Sequence, residues 1–207
     1  MPGQQLQVTA FVLGRAPSGS DAFEQVTVFS PDQGVLPCLR RHARKAASVA
    51  AIPLDLFDEA ELWLESSNQG RTWFIKEHRH LTRHPGIGGS YAALRAGAAL
   101  AALLTRNPVP DDSREAVAAL LRQSLAALGA GGRPDIVWFK ALFCLLRDEG
   151  HPVKQQWWTQ LPAAERDDAA KLLNEPVSGQ TLAPDAVSRL TQRLEAWVHA
   201  ETDIKLG

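Results

Sequence analysis

The sequence predicts a two-part α+β chain, strands first and helices after, on three observations. Of its 207 residues 31 are Ala, and only 9 of these precede residue 86 while 22 follow it. Before that point short β-branched and aromatic segments are separated by Gly, Pro and Asn turns, and beyond it apolar residues recur at helical spacing. With 45% hydrophobic and 22% charged residues, the chain has the make-up of an ordinary globular protein able to bury a core. The predicted domains are therefore 1–84, built of strands, and 85–207, built of helices.

Within the first domain, Leu6 to Leu13 (LQVTAFVL) and Gln25 to Ser30 (QVTVFS) have the β-branched and aromatic content of strands. Pro31-Asp32-Gln33-Gly34 then offers Pro for a preset φ and Gly for a positive one, so the chain should turn tightly into a third strand, Val35 to His42. Ala60 to Ser66 sets Leu62 and Leu64 opposite Glu61, Trp63 and Glu65, and Asn68-Gln69-Gly70 turns it into Arg71 to His78. Five short strands in about 80 residues cannot easily leave two long bare edges, so a closed five-stranded β-barrel of the OB-fold type is the economical arrangement. An open sheet covered by the helices is the alternative.

In the second domain Ser90 is placed to cap a helix over Tyr91 to Arg106, stopped by Asn107-Pro108. Asp112 or Ser113 can start another, with Val117, Leu120, Leu121, Leu125 and Leu128 on one stripe and Gly129 at its end. A third begins near Pro134 and presents Trp138, Phe139, Leu142, Phe143, Leu145 and Leu146, an apolar surface wide enough for the centre of a bundle; Gly150 and Pro152 end it. Shorter helices are expected over Ala163 to Asn174 and Pro184 to about Glu201. Trp157-Trp158 is expected to cap a small core, with a partner-binding anchor as the alternative.

Charge and cysteine usage narrow the function. A net charge of −1 supplies no global field toward nucleic acid or an anionic membrane, so any polyanion site must be local. Cys38 and Cys144 cannot furnish a four-thiolate zinc site or a disulfide framework, and they fit a reducing cytosol. No secretory leader is visible, and the Ala/Leu run from Ala96 to Leu104 is too short to span a bilayer, so a cytoplasmic protein without a membrane partner is expected.

The clearest local feature is Arg40, Arg41, Arg44 and Lys45, with no acid between Gln33 and Asp55. At the end of a strand and in the loop beyond it, such a cluster suits phosphate contacts that read no sequence. Arg71, Lys76 and Arg79, with Arg83 beyond them, form a second basic run tempered by Glu77. Solvated faces neutralised by Asp55, Asp58, Glu59, Glu61 or Glu65 are the bland alternative. Phe11, Phe29, Trp63, Trp73 and Phe74 are candidates for base stacking; alternation turns about half of them inward, and Trp63 shares a face with Glu61 and Glu65. His78, His80 and His84 raise metal ligation as an option, but closing a strand on a basic surface explains them more simply. Gly86-Ile87-Gly88-Gly89-Ser90 lacks the spacing of a phosphate loop, and neither a Ser elbow nor a convincing Cys nucleophile is present, so no enzyme and no cofactor are expected.

The order of these features resembles the bacterial RecO family of recombination mediators, over nearly the whole chain. The likeness rests on Ala10-Phe11-Val12-Leu13-Gly14-Arg15, on Val28-Phe29-Ser30-Pro31-Asp32-Gln33-Gly34 and on Arg40 to Ser48. In the second domain it rests on Tyr91-Ala92-Ala93-Leu94, on Trp138 to Pro152 and on Leu194 to His199 with Ile204-Lys205-Leu206. The resemblance implies an OB barrel followed by a helical domain and a non-enzymatic role in DNA repair and recombination. That role covers binding of single- and double-stranded DNA, strand annealing and recombinase loading. It further implies RecR and the C-terminal tail of single-stranded DNA-binding protein as partners, a nucleoid-associated location, and DNA contacts at Arg15, Arg40, Arg41, Arg44 and Lys45. Two departures stand out: 151–184 contains no Cys where many relatives carry a four-cysteine zinc module, so zinc should be absent, and the chain is short and nearly neutral. A protein-interaction adaptor of the same architecture with little DNA affinity is the rival reading.

Overall fold

In the computed structural model, which describes residues 3–42, 52–66 and 68–206, five strands precede a helical region. The strands are β1 (Gln4–Pro17), β2 (Phe23–Ser30), β3 (Gly34–Arg41), β4 (Glu59–Ser66) and β5 (Trp73–Thr82). The chain divides into two units, Met1–Arg83 and His84–Gly207.

Every strand has two hydrogen-bonded neighbours, and the order β1-β2-β3-β5-β4 closes on itself through an antiparallel β1–β4 pairing. All pairs are antiparallel except β3–β5, which runs parallel over Cys38↔Trp73 to Arg40↔Ile75. Closure gives every strand a neighbour on both sides, although β3 meets β5 over only these three residues. Alternation turns Val8, Ala10, Val12, Val26, Val28, Cys38, Ala60, Leu62, Leu64 and Ile75 into one buried core, joined by Leu54 from the β3–β4 connector. Burial also pushes the Cys38 thiol up to about 12, so it stays protonated and packs as a small hydrophobe.

β1, β2, β4 and β5 run longer than the alternating segments suggested, β5 from Trp73 to Thr82 rather than Arg71 to His78, while β3 is displaced by one residue at the same length. A register shift between Val12 and Gly14 lets β1 continue past Leu13 while still pairing with β2. At the same place the connector docks on β1: Val12 N–H donates to Asp58 O at 2.9 Å and Phe57 N–H to Val12 O at 2.8 Å. Gly34 takes the positive φ (71°) expected of it, and Gln69 and Gly70 sit at 61° and 81°, both in the left-handed region of a tight hairpin turn.

The helices are α1 (Pro85–Gly88), α2 (Tyr91–Arg106), α3 (Arg114–Gly129), α4 (Pro134–Asp148), α5 (Trp157–Gln160), α6 (Ala163–Asn174) and α7 (Pro184–Glu201). Ser90 caps α2 by accepting from Ala93 N–H. Gly129 is the last residue of α3 rather than its left-handed terminator; Gly131, at φ 80°, takes that conformation. The long helix α4 buries Ile136, Val137, Phe139, Leu142, Phe143 and Leu146. Trp157 is 2% exposed against Phe139 and Phe143, so the Trp pair closes a core. Trp138 departs from the expected apolar surface: it is half-buried and its Nε1–H donates to Glu195 Oε1 on α7 at 2.8 Å. Among the described residues, no helix is long and apolar enough to cross a membrane.

The approach of α1 to α3 requires a glycine, because a Cβ on Gly86 would lie 2.2 Å from the Gly129 carbonyl oxygen, whereas one on Gly88 would meet nothing within 4 Å. Gly86→Ala should therefore cost about 1–3 kcal/mol of stability through overpacking. Gly88→Ala should stay within about 0.5 kcal/mol. Thermal unfolding of the two variants checks this, and equal midpoints would contradict the packing.

Candidate nucleic-acid interface

Strand alternation decides what the basic residues of β3 do. Cys38 belongs to the core, so Arg40 lies on the inward side of β3 and Arg41 on the outward side. Their register partners follow the same rule: Arg40 faces Glu24, and Arg41 faces Phe23. The two neighbours in sequence therefore do not form one outward patch.

Inward, Glu24 is 7% exposed and bridges two guanidinium groups. Arg15 donates to its Oε2 from Nε and Nη2 at 3.1 and 2.9 Å, and Arg40 ion-pairs with Oε1. The same arginines tie down the β3–β4 connector, Arg15 through Asp55 at 3.4 Å and Arg40 through the Leu54 carbonyl at 3.4 Å. Burial pushes the Glu24 carboxyl up, but hydrogen bonds and charge from Arg15 and Arg40 outweigh it and hold the group below its ordinary value of 4.5. Arg15 and Arg40, both expected to contact phosphate, are thus engaged by a carboxylate that lies outside the acid-free run.

The second basic run is largely paired as well. Lys76 lies 2.7 Å from Glu65, Arg79 2.7 Å from Glu61, and Arg83 3.3 Å from Asp58. Arg79 and Gln7 together hold the Glu61 carboxyl below its ordinary value. Arg71, exposed in the β4–β5 turn, makes no ion pair with another described residue, and neither does exposed Arg41. Arg44 and Lys45 lie outside the described residues. Up to Arg83 the chain carries nine Lys/Arg and nine Asp/Glu, so this unit has no net charge to spare.

Outward, β2 and β3 present Phe23, Gln25, Thr27, Pro37, Leu39 and Arg41, none of them acidic. Phe74 on β5 adjoins Leu39 and meets Phe23 edge-on, with ring centres 5.6 Å apart. The other aromatic candidates are used differently. Phe11 and Phe29 are fully buried, Trp73 packs on the sheet core, and Trp63 sits half-buried between Glu61 and Glu65. Phe23 was not singled out because it precedes the alternating segment; the signal that finds it is its pairing with Arg41, which only the register reveals.

Among the described residues no three His, Cys, Asp or Glu side chains group so as to hold a metal ion, and His78 and His80 meet instead at a backbone carbonyl. Nε2–H of His78 and of His80 both donate to the Ile52 carbonyl, at 3.0 and 3.1 Å, fastening the far end of the connector. His84 belongs to the helical unit, and a Cβ on Gly129 would lie 3.1 Å from its Nδ1. No protein-family model matches the chain, and no curated protein is similar to it.

Because the folded-state pKa of Glu24 is depressed, its contribution to stability is complete above its unfolded value and is lost as pH falls through the lower folded one. Glu24→Gln should cost about 2 kcal/mol at neutral pH, as loss of charged hydrogen bonds does. The gap between wild type and variant should then close as pH falls below 4.5 toward the folded value, where wild-type Glu24 becomes neutral too. Paired unfolding midpoints across this range measure it; a gap that does not change with pH would show that the carboxylate charge is not what holds the triad.

Proposed function

We propose that this chain is a DNA-binding recombination mediator of the RecO type, whose strand unit is an OB-fold barrel and whose helical unit serves protein partners. The observation that carries the reading is the outward face of β2 and β3. It is free of carboxylates, it bears Phe23, Gln25, Leu39 and Arg41, and it lies between the β1–β2 and β4–β5 turns. In OB-folds the corresponding strands and turns form the oligonucleotide surface. The closed order β1-β2-β3-β5-β4 with its single parallel pair supports the same reading.

On this proposal Arg41 and Arg71 contact phosphates, joined by Arg44 and Lys45 from the loop after β3. Arg15 and Arg40 shape the site through Glu24 rather than touch DNA. Annealing needs no covalent step: two strands brought to one cationic face find their own register by base pairing. The proposal carries with it RecR and the tail of single-stranded DNA-binding protein as partners, and a nucleoid-associated location in the cytoplasm.

Charge balance favours a second reading, a protein-interaction adaptor with little DNA affinity. Its surface is the groove of about 990 Å³ between α2, α4 and α7, lined by Trp138 and by Arg95, Arg106 and His199, with Asp135, Asp185 and Glu195 on the same lining. An acidic peptide bound there, with no oligonucleotide bound anywhere, would select it.

Oligonucleotide titrations between about 50 and 200 mM salt test the main reading, since each phosphate contact to a single strand contributes about 0.7 to the slope of log affinity against log salt. Arg41→Ala with Arg71→Ala should flatten that slope by about 1.4 and weaken binding at low salt. An unchanged slope in the double variant would remove these residues from the interface.

A further inference from the structure

We infer that the groove between α2, α4 and α7 binds an extended peptide segment through its main chain, and that the chain's own Thr202 to Leu206 is the resident occupant that an incoming segment must displace. The site lies within the helical unit, so it stands whether or not the strand unit binds DNA. It shares its groove with the adaptor reading and requires no acidic partner.

The first feature that carries it is a backbone clamp at the end of α2, beside the groove. Asn107 Oδ1 accepts from Lys205 N–H at 2.8 Å and Asn107 Nδ2 donates to Lys205 O at 3.1 Å, so one side-chain amide takes both main-chain groups of one residue. The same Nδ2 donates to Leu103 O in the last turn of α2 at 2.7 Å, which fixes the direction of the amide. Arg106 Nη1 adds a third bond, to Leu206 O at 3.2 Å. Main-chain contacts of this kind hold any sequence that can lie extended, as a strand does when it is added to a sheet edge.

The second is how the segment lies. α7 ends at Glu201, and Thr202 is extended at φ −139° and ψ 162°. From there burial alternates: Thr202, Ile204 and Leu206 are half-buried, while Asp203 and Lys205 are exposed. That is the period of an extended chain laid along a surface, and Leu206 reaches the groove lining. Toward its own start α2 lines the groove with Ala92, Ala98, Ala99 and Ala102, whose small side chains leave room for a chain of the same kind. Because the segment is tethered to α7, it meets the clamp at the high local concentration of a short linker and keeps out a competitor that makes only equal contacts.

The test uses the unshortened chain and a fluorescent peptide of the sequence Thr202 to Leu206, blocked at both ends. Lys205→Pro removes the N–H that Asn107 accepts and leaves every side chain lining the groove in place. Hydrogen bonds of ordinary strength keep the segment closed over open by about tenfold. A site masked to that degree binds a competitor about tenfold more weakly than an open one. The Lys205→Pro chain should therefore bind the peptide about tenfold more tightly than the unmodified chain does, and the peptide bearing the same change should bind neither chain. In the unmodified chain the Lys205 amide should exchange with solvent about tenfold more slowly than in the free peptide. Equal affinity of the two chains for the peptide, or no binding to the Lys205→Pro chain, would overturn the peptide site. A Lys205 amide that exchanges at the free-peptide rate would overturn the resident contact without recourse to any variant.

Discussion

The shared carboxylate of Glu24 is the interaction on which the rest of the strand unit depends. It sits on the inward side of β2, almost fully buried, and accepts from Arg15 on β1 and Arg40 on β3. An isolated charge in that position would be costly, as would either arginine left facing inward without it. Together they hold three adjacent strands at one level and, through Asp55 and the Leu54 carbonyl, fix where the connector returns to the sheet. His78 and His80 secure the same connector from β5 by its Ile52 carbonyl. A segment that would otherwise be a long excursion between β3 and β4 is pinned at its return end by polar contacts from three strands.

That arrangement changes the meaning of the basic residues. Read along the chain, Arg40 to Lys45 is an acid-free cluster; read across the sheet, its first arginine is neutralised by a residue sixteen positions earlier. The period-two geometry of a strand is enough to separate Arg40 from Arg41, since Cys38 is apolar, flanked by Pro37 and Leu39, and inward. The identity of the neutralising partner was not legible, because cross-strand pairs depend on register, and register is set by the turns and by a shift near Gly14 that no local pattern announces. The same cause hid Phe23, which gains its place only when β2 and β3 are aligned.

Other features were readable because they are local. Gly34 in the β2–β3 turn, Ser90 before α2, Gly150 after α4 and the apolar stripe of α3 each follow from conformational preference or spacing within a few residues. The five strands and the order of helices were legible on the same grounds. Where tertiary context intervened, the reading slipped: α3 runs on through Gly129, and Trp138 leaves the apolar surface of α4 to satisfy its indole N–H with Glu195. A buried or half-buried indole seeks an acceptor, and that acceptor lies 57 residues away on another helix.

The balance of charge in the strand unit bears on what kind of nucleic-acid protein it can be. A surface with many free cations gains affinity from counterion release, holds any polyanion and loosens steeply with salt. Here each carboxylate of β4 that points outward is matched by a cation of β5, Glu61 by Arg79 and Glu65 by Lys76, and the inward triad consumes two more. Among the described residues, what remains is the carboxylate-free outward face of β2 and β3, with Arg41 at the end of β3, and Arg71 in the β4–β5 turn. On the proposed function, such a face holds a strand weakly, through few phosphate contacts. A strand held so weakly stays free to exchange partners, so its complement can take it up by base pairing without any covalent step at the protein.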